Sequence, residues 1–271
     1  MAIKLRIIRD FERSAAFNMA ADNYLLNNCK DDETVFLRFY NWEKPSITVG
    51  CMQEPKDVLN FTMIEKDGVE WIRRPTGGRA VLHQEDLTYS CIFNKNLTQM
   101  GKSISQTYGI ITNCLIEGLK TCSIPCDAHD SYDEYKELKR EIKLPCFLSP
   151  NRDEVMVNGR KLVGSAQKRN LSAVLQHGSV PLGSAYRNLP NYLLLDKKTR
   201  DVQIKLLERK SICVNEINPT LSLPDITEAL CRGFTTRLAY DEVVESEWSG
   251  LELERISKDM GSEGIKKSVQ I

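Results

Sequence analysis

The chain has 271 residues, and its 37 Lys and Arg residues are balanced by 37 Asp and Glu residues, so its formal net charge is zero. This balance argues against nucleic acid as the main partner, because proteins that bind it usually carry a basic excess. No apolar run approaches the roughly 20 residues needed to span a membrane, and the N-terminus lacks the apolar segment of a secretory signal. The nine cysteines form no regular framework, so the sequence predicts a reducing, cytoplasmic location.

The first half of the chain predicts two helices separated by short strands. Ser14 is a suitable N-cap for a helix that ends near Asn28 and carries apolar residues at helical spacing. A second helix is predicted at 103–120, where apolar residues again share one face. Strand-like runs lie at 35–40, 46–49, 70–73, 80–82 and 87–93.

The second half begins with a predicted hairpin over Glu154–Ala166. Its centre is Asn158-Gly159, the pair that most strongly indicates a type I′ turn. A strand follows at 173–181, and helices are predicted to start near Leu223 and Ser249. Because the strands cluster without regular βαβ alternation, the predicted fold class is α+β, with mixed, largely antiparallel sheets and packed helices. We expect a core at 1–189 and a mainly helical C-terminal subdomain at 190–271 that packs on it.

The run "RRPTGGRAVLH" at 73–83 predicts a ligand-binding loop between two strands. Paired glycines let backbone N–H groups approach a ligand, and arginines can bind a carboxylate, phosphate or acyl oxygen. A basic surface turn is the alternative interpretation. The candidate binding residues are Arg74, Thr76, Gly77, Gly78, Arg79 and His83.

Two later segments add candidates. Lys161 follows the Asn158-Gly159 turn, and the small residues after it leave space beside their strand. A His-Gly pair lies on the strand-like run at 173–181. The further candidates are Lys161, Gly164, Ser165, Ala166, His177 and Gly178.

The segments "RRPTGGRAVLH", "VNGRKLVGSAQKR" and "LQHGSVPL" resemble the family that contains lipoate–protein ligases, octanoyltransferases and, more distantly, biotin–protein ligases. Weaker similarity lies in "NMAADNYLL" and "PSITVGCMQ", so the resemblance covers most of residues 1–185. ATP-dependent lipoate ligases usually have a third glycine where this chain has Arg79. Arg79 is more similar to the octanoyltransferase branch, which works from an acyl-carrier-protein donor. The resemblance implies that 1–189 is an acyltransferase catalytic core.

Enzymes of that branch use a cysteine nucleophile in a loop before the lysine hairpin. Cys146 stands there, fifteen residues before Lys161. The resemblance therefore implies that Cys146 and Lys161 are the catalytic pair, and that Lys161 lowers the pKa of the thiol, since the thiolate is the nucleophile. The alternative is that Cys146 only packs in the core, as free cysteines commonly do.

Cys122, Cys126 and His129 form a C-x3-C-x2-H cluster that could suggest zinc. Because no second ligand pair follows at metal spacing, we expect no metal site.

The leading hypothesis is an enzyme that transfers octanoyl from octanoyl-acyl carrier protein to a lysine of a lipoyl-domain protein. The resemblance makes the glycine-cleavage H protein the expected acceptor, with no cofactor, nucleic acid or membrane involved. The alternatives are an ATP-dependent lipoate ligase, which would use ATP and Mg²⁺, an amidotransferase that moves octanoyl or lipoyl between two proteins, and a non-catalytic acyl or lipoyl-domain binding protein. Carrier proteins of this kind are generally acidic, and a docking rim for them is predicted from Arg73, Arg74, Arg79, Lys161, Lys168 and Arg169.

Overall fold

The protein is described here from a computed structural model, which covers residues 3–31, 33–129 and 154–260. In chain order the first elements are β1 (Lys4–Arg13), α1 (Ala15–Asn28), β2 (Thr34–Trp42), β3 (Ser46–Val49), α2 (Phe61–Lys66), β4 (Glu70–Arg73), β5 (Val81–His83), β6 (Asp86–Asn94), α3 (Ile104–Thr121) and β7 (Asp127–His129). They are followed by β8 (Glu154–Val157), β9 (Arg160–Arg169), β10 (Ala173–Pro181), α4 (Lys197–Lys210), α5 (Val214–Ile217), α6 (Leu223–Arg237), β11 (Glu242–Glu245) and α7 (Gly250–Met260).

The strands form two sheets. The larger has eight strands in the order β11-β1-β2-β6-β10-β9-β8-β7, and the smaller has the order β4-β3-β5. In the larger sheet β1 is parallel to both β11 and β2, whereas the remaining pairs are antiparallel. This mixed, largely antiparallel arrangement with packed helices confirms the predicted α+β class.

Local signals in the sequence correspond closely to element boundaries. Ser14 caps α1, with its side chain accepting a hydrogen bond from the backbone N–H of Phe17 at 3.3 Å. Asn158 and Gly159 have φ angles of 49° and 71°, the positive values that a type I′ turn requires. The turn therefore sets the β8–β9 register, in which Val157 faces Arg160 and Met156 faces Lys161.

Apolar layers cover both faces of the larger sheet. On one face, α3 and α6 pack against a core that contains Leu37, Phe93 and Leu115. On the other face, α1 and α7 enclose a second core that contains Tyr40 and Trp248. A third apolar cluster includes residues of the smaller sheet, among them Ile47, Val49 and Leu82. Within the described ranges, no helix is both long enough and apolar enough to cross a membrane.

The chain beyond residue 189 contributes to the sheet as well as adding helices. The short strand β11, which the sequence analysis does not predict, pairs with β1 at the edge of the larger sheet. Trp248, just before α7, donates a hydrogen bond from its indole N–H to buried Asp10 at 2.8 Å. The boundary at residue 189 stays a prediction.

Candidate active site

A cavity of about 350 Å³ lies where residues from both sheets and from α1 and α3 meet. Most of the predicted site residues line it: Arg74, Gly77, Gly78, His83, Lys161, Gly164, Ser165, Ala166, His177 and Gly178. Thr76 and Arg79 do not line the cavity but contact Arg74, which does. Cys146 lies outside the described residues. The tertiary structure thus brings together three segments that are far apart in the sequence, with Thr76 and His177 101 residues from each other.

Arg74 organises the glycine loop. Its Nε donates to Thr76 Oγ1 at 3.2 Å, and one terminal nitrogen donates to the carbonyl and hydroxyl oxygens of Thr48 at 3.0 and 3.2 Å. The other terminal nitrogen donates to the carbonyls of Gly77 and Arg79 at 2.7 and 2.8 Å. The guanidinium is buried and fixes the loop between β4 and β5 against β3.

His177, on β10, forms part of the cavity wall. Its Nε2 is 2.7 Å from Thr76 Oγ1, and its Nδ1 is 3.0 Å from a carboxylate oxygen of Asp22. Burial lowers the pKa of His177 despite the opposing effect of Asp22. Burial alone would raise the pKa of Asp22, but hydrogen bonding to His177 and the charge of Arg38 bring it below its usual value. The pair therefore consists of a neutral imidazole and a carboxylate at neutral pH.

His83 has a matching environment on β5. Its Nε2 is 3.0 Å from Thr48 Oγ1, and its Nδ1 is 2.8 Å from Asp86 Oδ2. The imidazole also stacks on the indole of Trp42, with 4.2 Å between ring centroids. Both histidines are thus held between a threonine hydroxyl and a buried carboxylate.

Lys161 is only 3% exposed and forms an ion pair with Glu154, with Nζ and Oε1 2.6 Å apart. Its carbonyl accepts a hydrogen bond from the backbone N–H of Ile212 at 3.0 Å, which ties its strand to the C-terminal part of the chain. Sequence reasoning did not identify Glu154. Met156 faces Lys161, but the β8–β9 register shifts between Val155 and Met156, so the turn alone does not place Glu154 beside Lys161.

The small residues of β9 and β10 form a closely packed wall. Ser165 is bonded on both sides, with its Oγ 2.8 Å from the hydroxyl of Tyr89 and its carbonyl accepting from the hydroxyl of Tyr108 at 2.6 Å. Gly178 faces Ser165 across the two strands, and Tyr89 lies beside it. Burial raises the pKa of Tyr89, which keeps the phenol neutral. Sequence reasoning did not identify Tyr89, Tyr108, Asp22 or Asp86 as site residues, although Asp22 lies in the weaker family match "NMAADNYLL".

The predicted basic docking rim is wrong for two of its members. Arg74 is 5% exposed and Lys161 is 3% exposed, so neither guanidinium nor ammonium forms part of the surface. Arg169 is partly buried and bonds to the carbonyl of Ser103 and the hydroxyl of Thr107. Hydrogen bonding inside the protein explains why these cations do not extend into solvent.

The eight described cysteines are all free thiols, and six of them are buried. Burial raises the pKa of Cys114 to about 12 and that of Cys126 to about 11, which suits packing rather than nucleophilic attack. In the part of the chain that the structure describes, no group of three His, Cys, Asp or Glu residues could hold a metal ion. The absence of a metal site stays a prediction.

Comparison with known proteins agrees with this geometry. The family model described as the lipoyl protein ligase A/B catalytic domain matches residues 14–235. Octanoyltransferase LipM of Halalkalibacterium halodurans is 34% identical over 243 residues, which cover 86% of this chain and 87% of that protein. Octanoyltransferase LipM of Bacillus subtilis is 32% identical over 240 residues, which cover 86% of each chain.

Among solved structures, a bi-partite lipoate protein ligase from Thermoplasma acidophilum has a TM-score of 0.77 at 19% identity, and covers 99% of this chain and 100% of that one. At this low identity, the structural similarity supports the fold alone. Together, the cavity and the sequence similarity define an enzyme of the acyltransferase class. The chain belongs to the lipoyl protein ligase A/B catalytic domain family, as the resemblance in its sequence indicated.

Proposed function

We propose that this acyltransferase moves an octanoyl group from octanoyl-acyl carrier protein to a lysine of a lipoyl-domain protein, in the assembly of the lipoate cofactor. The glycine-cleavage H protein is the expected acceptor, and the expected location is the cytoplasm. The names of the relatives that are 32–34% identical over most of both chains support octanoyl transfer. The observation that carries the proposal is the cavity of about 350 Å³, which combines small wall residues with a buried lysine.

The cavity suits an acyl chain. Small-ligand pockets range from about 300 to 1,000 Å³ and are mostly apolar, with a few fixed polar groups. Here Gly164, Ala166 and Gly178 leave room along one wall. Because the donors of Arg74 are bonded to the loop and to Thr48, the polar part of the wall is preorganised before a substrate enters.

In the proposed reaction, the Cys146 thiolate attacks the thioester carbonyl of the donor. The C–S bond to the carrier breaks, and the carrier leaves as a thiolate, which takes a proton from the Lys161 ammonium. The acceptor amine then attacks the Cys146 thioester, an amide bond forms, and the Cys146 thiolate departs. Exchange of one thioester for another is nearly neutral in energy, so the octanoyl group stays reactive without ATP.

Lys161 is proposed to supply the positive charge that favours the Cys146 thiolate, and then to give its proton to the departing carrier thiolate. The neutral amine that results accepts the proton that the acceptor amine loses. Glu154 holds the ammonium at 2.6 Å and limits its conformations. No cofactor is required, because a thioester donor already carries the energy that adenylation would provide.

The decisive assay combines the enzyme, octanoyl-acyl carrier protein and apo H protein, with and without ATP and Mg²⁺. Mass spectrometry should show one octanoyl group on the H protein in both conditions. Incubation with donor alone should add one octanoyl group to the enzyme, and hydroxylamine should remove it. Cys146→Ala should lose both signals, whereas Cys51→Ala should keep them.

Other outcomes would favour the alternatives. Modification that appears only with free lipoate or octanoate plus ATP and Mg²⁺ would indicate a ligase. Transfer from octanoylated H protein to a second lipoyl domain, without transfer from acyl carrier protein, would indicate an amidotransferase. Binding of the donor without any transfer would indicate a non-catalytic binding protein.

A further inference from the structure

A continuous series of hydrogen bonds crosses the cavity wall, with Arg74 at its centre. One branch runs from Arg74 through Thr76 and His177 to Asp22, with successive distances of 3.2, 2.7 and 3.0 Å. The other branch runs from Arg74 through Thr48 to His83 and then to Asp86, with distances of 3.2, 3.0 and 2.8 Å. Both branches thus have the same order: arginine, threonine, histidine, aspartate.

The chemistry of the groups sets the direction of each bond. An arginine can only donate and a carboxylate can only accept. Nδ1 of each histidine must therefore carry the proton that it shares with its aspartate. Each threonine oxygen accepts from Arg74, and its single O–H is then free to donate to Nε2 of the histidine. This assignment satisfies every bond in both branches.

We propose that Arg74 is a positioning residue that fixes both cavity histidines, His83 and His177, in the Nδ1–H form through the hydroxyl groups of Thr48 and Thr76. Its N–H groups donate to Thr76, to Thr48 and to the loop carbonyls of Gly77 and Arg79. Contact between Arg74 and a substrate oxygen would therefore compete with bonds that hold the wall. Arg74 acts on the reaction through its neighbours.

The Nδ1–H forms of both histidines limit which group can accept a proton during acyl transfer, an inference that rests on the proposed function. The Nε2 lone pair of each histidine is already occupied by a threonine O–H, so neither histidine is placed to take a proton from the acceptor amine. Lys161, which is among the described residues that line the cavity and which the proposed reaction uses, is therefore assigned to accept that proton. The histidines serve as fixed polar parts of the wall.

The tautomers can be measured on the resting protein, without substrate. The chain has three histidines, so nitrogen-15 labelling of histidine gives a simple spectrum, in which His129 provides an internal reference. Long-range proton–nitrogen correlation spectra near pH 8 should show that His83 and His177 carry the proton on Nδ1. A spectrum in which either residue carries its proton on Nε2 would overturn the proposal.

Matched variants separate this role from a general effect on folding. Thr76→Val should move the Nε2 resonance of His177 towards higher frequency, because a hydrogen-bond donor is lost, and leave that of His83 in place. Thr48→Val should do the reverse, and the Ser variants should restore both wild-type positions. Arg74→Lys, which keeps the charge but loses the planar arrangement of donors, should move both resonances.

Several results would contradict the proposal. If Arg74→Lys leaves both Nε2 resonances at their wild-type positions, Arg74 does not set the tautomers. If Arg74→Lys fails to fold, the two valine variants still test the proposal. A His177 Nε2 resonance that stays at its wild-type position in Thr76→Val would contradict it. The spectra are recorded without donor or acceptor, so their outcome is independent of the octanoyl assay.

Discussion

The buried ion pair between Lys161 and Glu154 should contribute measurably to the stability of the protein. Both side chains are at most 4% exposed, and their charged atoms are 2.6 Å apart. Lys161→Met would keep most of the side-chain volume and leave the Glu154 carboxylate buried without this cation. Glu154→Gln in the same protein would remove the remaining charge of the pair.

Breaking a buried pair by removing one partner typically costs about 3–5 kcal/mol, whereas replacing both charges costs much less. We therefore expect Lys161→Met to lower the free energy of unfolding by about 3–5 kcal/mol. For a protein of this size, each kcal/mol corresponds to roughly 2–4 °C in Tm, so the loss is on the order of 10 °C. The double variant should be destabilised by about 0.5–3 kcal/mol less than the sum of the two single variants, which is the coupling expected for residues in direct contact.

Urea unfolding of the wild type, both single variants and the double variant forms a complete cycle. A double variant that is destabilised by the sum of the two single effects would contradict this expectation, because the pair would then have no coupling energy. The double variant also allows the role of Lys161 in octanoyl transfer to be tested separately from its effect on stability. Octanoyl transfer should be absent in the double variant even where it is well folded, and retained transfer would remove Lys161 from the mechanism.

Two further predictions concern the cavity wall. Gly178→Ala would place a Cβ 2.7 Å from a ring carbon of Tyr89 and from two atoms of β9. We therefore expect a loss of about 1–3 kcal/mol in the free energy of unfolding and weaker donor binding. Gly250→Ala, where a Cβ would meet open space, should change neither quantity. Because burial holds the pKa of His177 below its usual 6.5, the folded protein binds this proton less readily than the unfolded chain, and stability should fall as the pH drops below about 6.5. In His177→Asn, the decline in unfolding free energy between about pH 7.5 and 5.5 should be shallower, and an unchanged slope would contradict the assignment.

The sequence by itself determined the local structure and the family. The Asn158-Gly159 pair required a type I′ turn, and Ser14 provided a helix cap, because both depend only on neighbouring residues. The glycine loop and the two later motifs were sufficient to indicate an acyl-binding cavity and the family.

Only the tertiary structure decided how the site is held together. Asp22 lies on α1, yet it contacts His177 on β10, 155 residues further along the chain. Arg74 looked like a surface cation in the sequence and is buried, because Thr48 and the loop carbonyls accept its hydrogen bonds. Such partners come together through the packing of whole helices and strands. Neither composition nor residue spacing predicts which distant side chain will contact a buried charge.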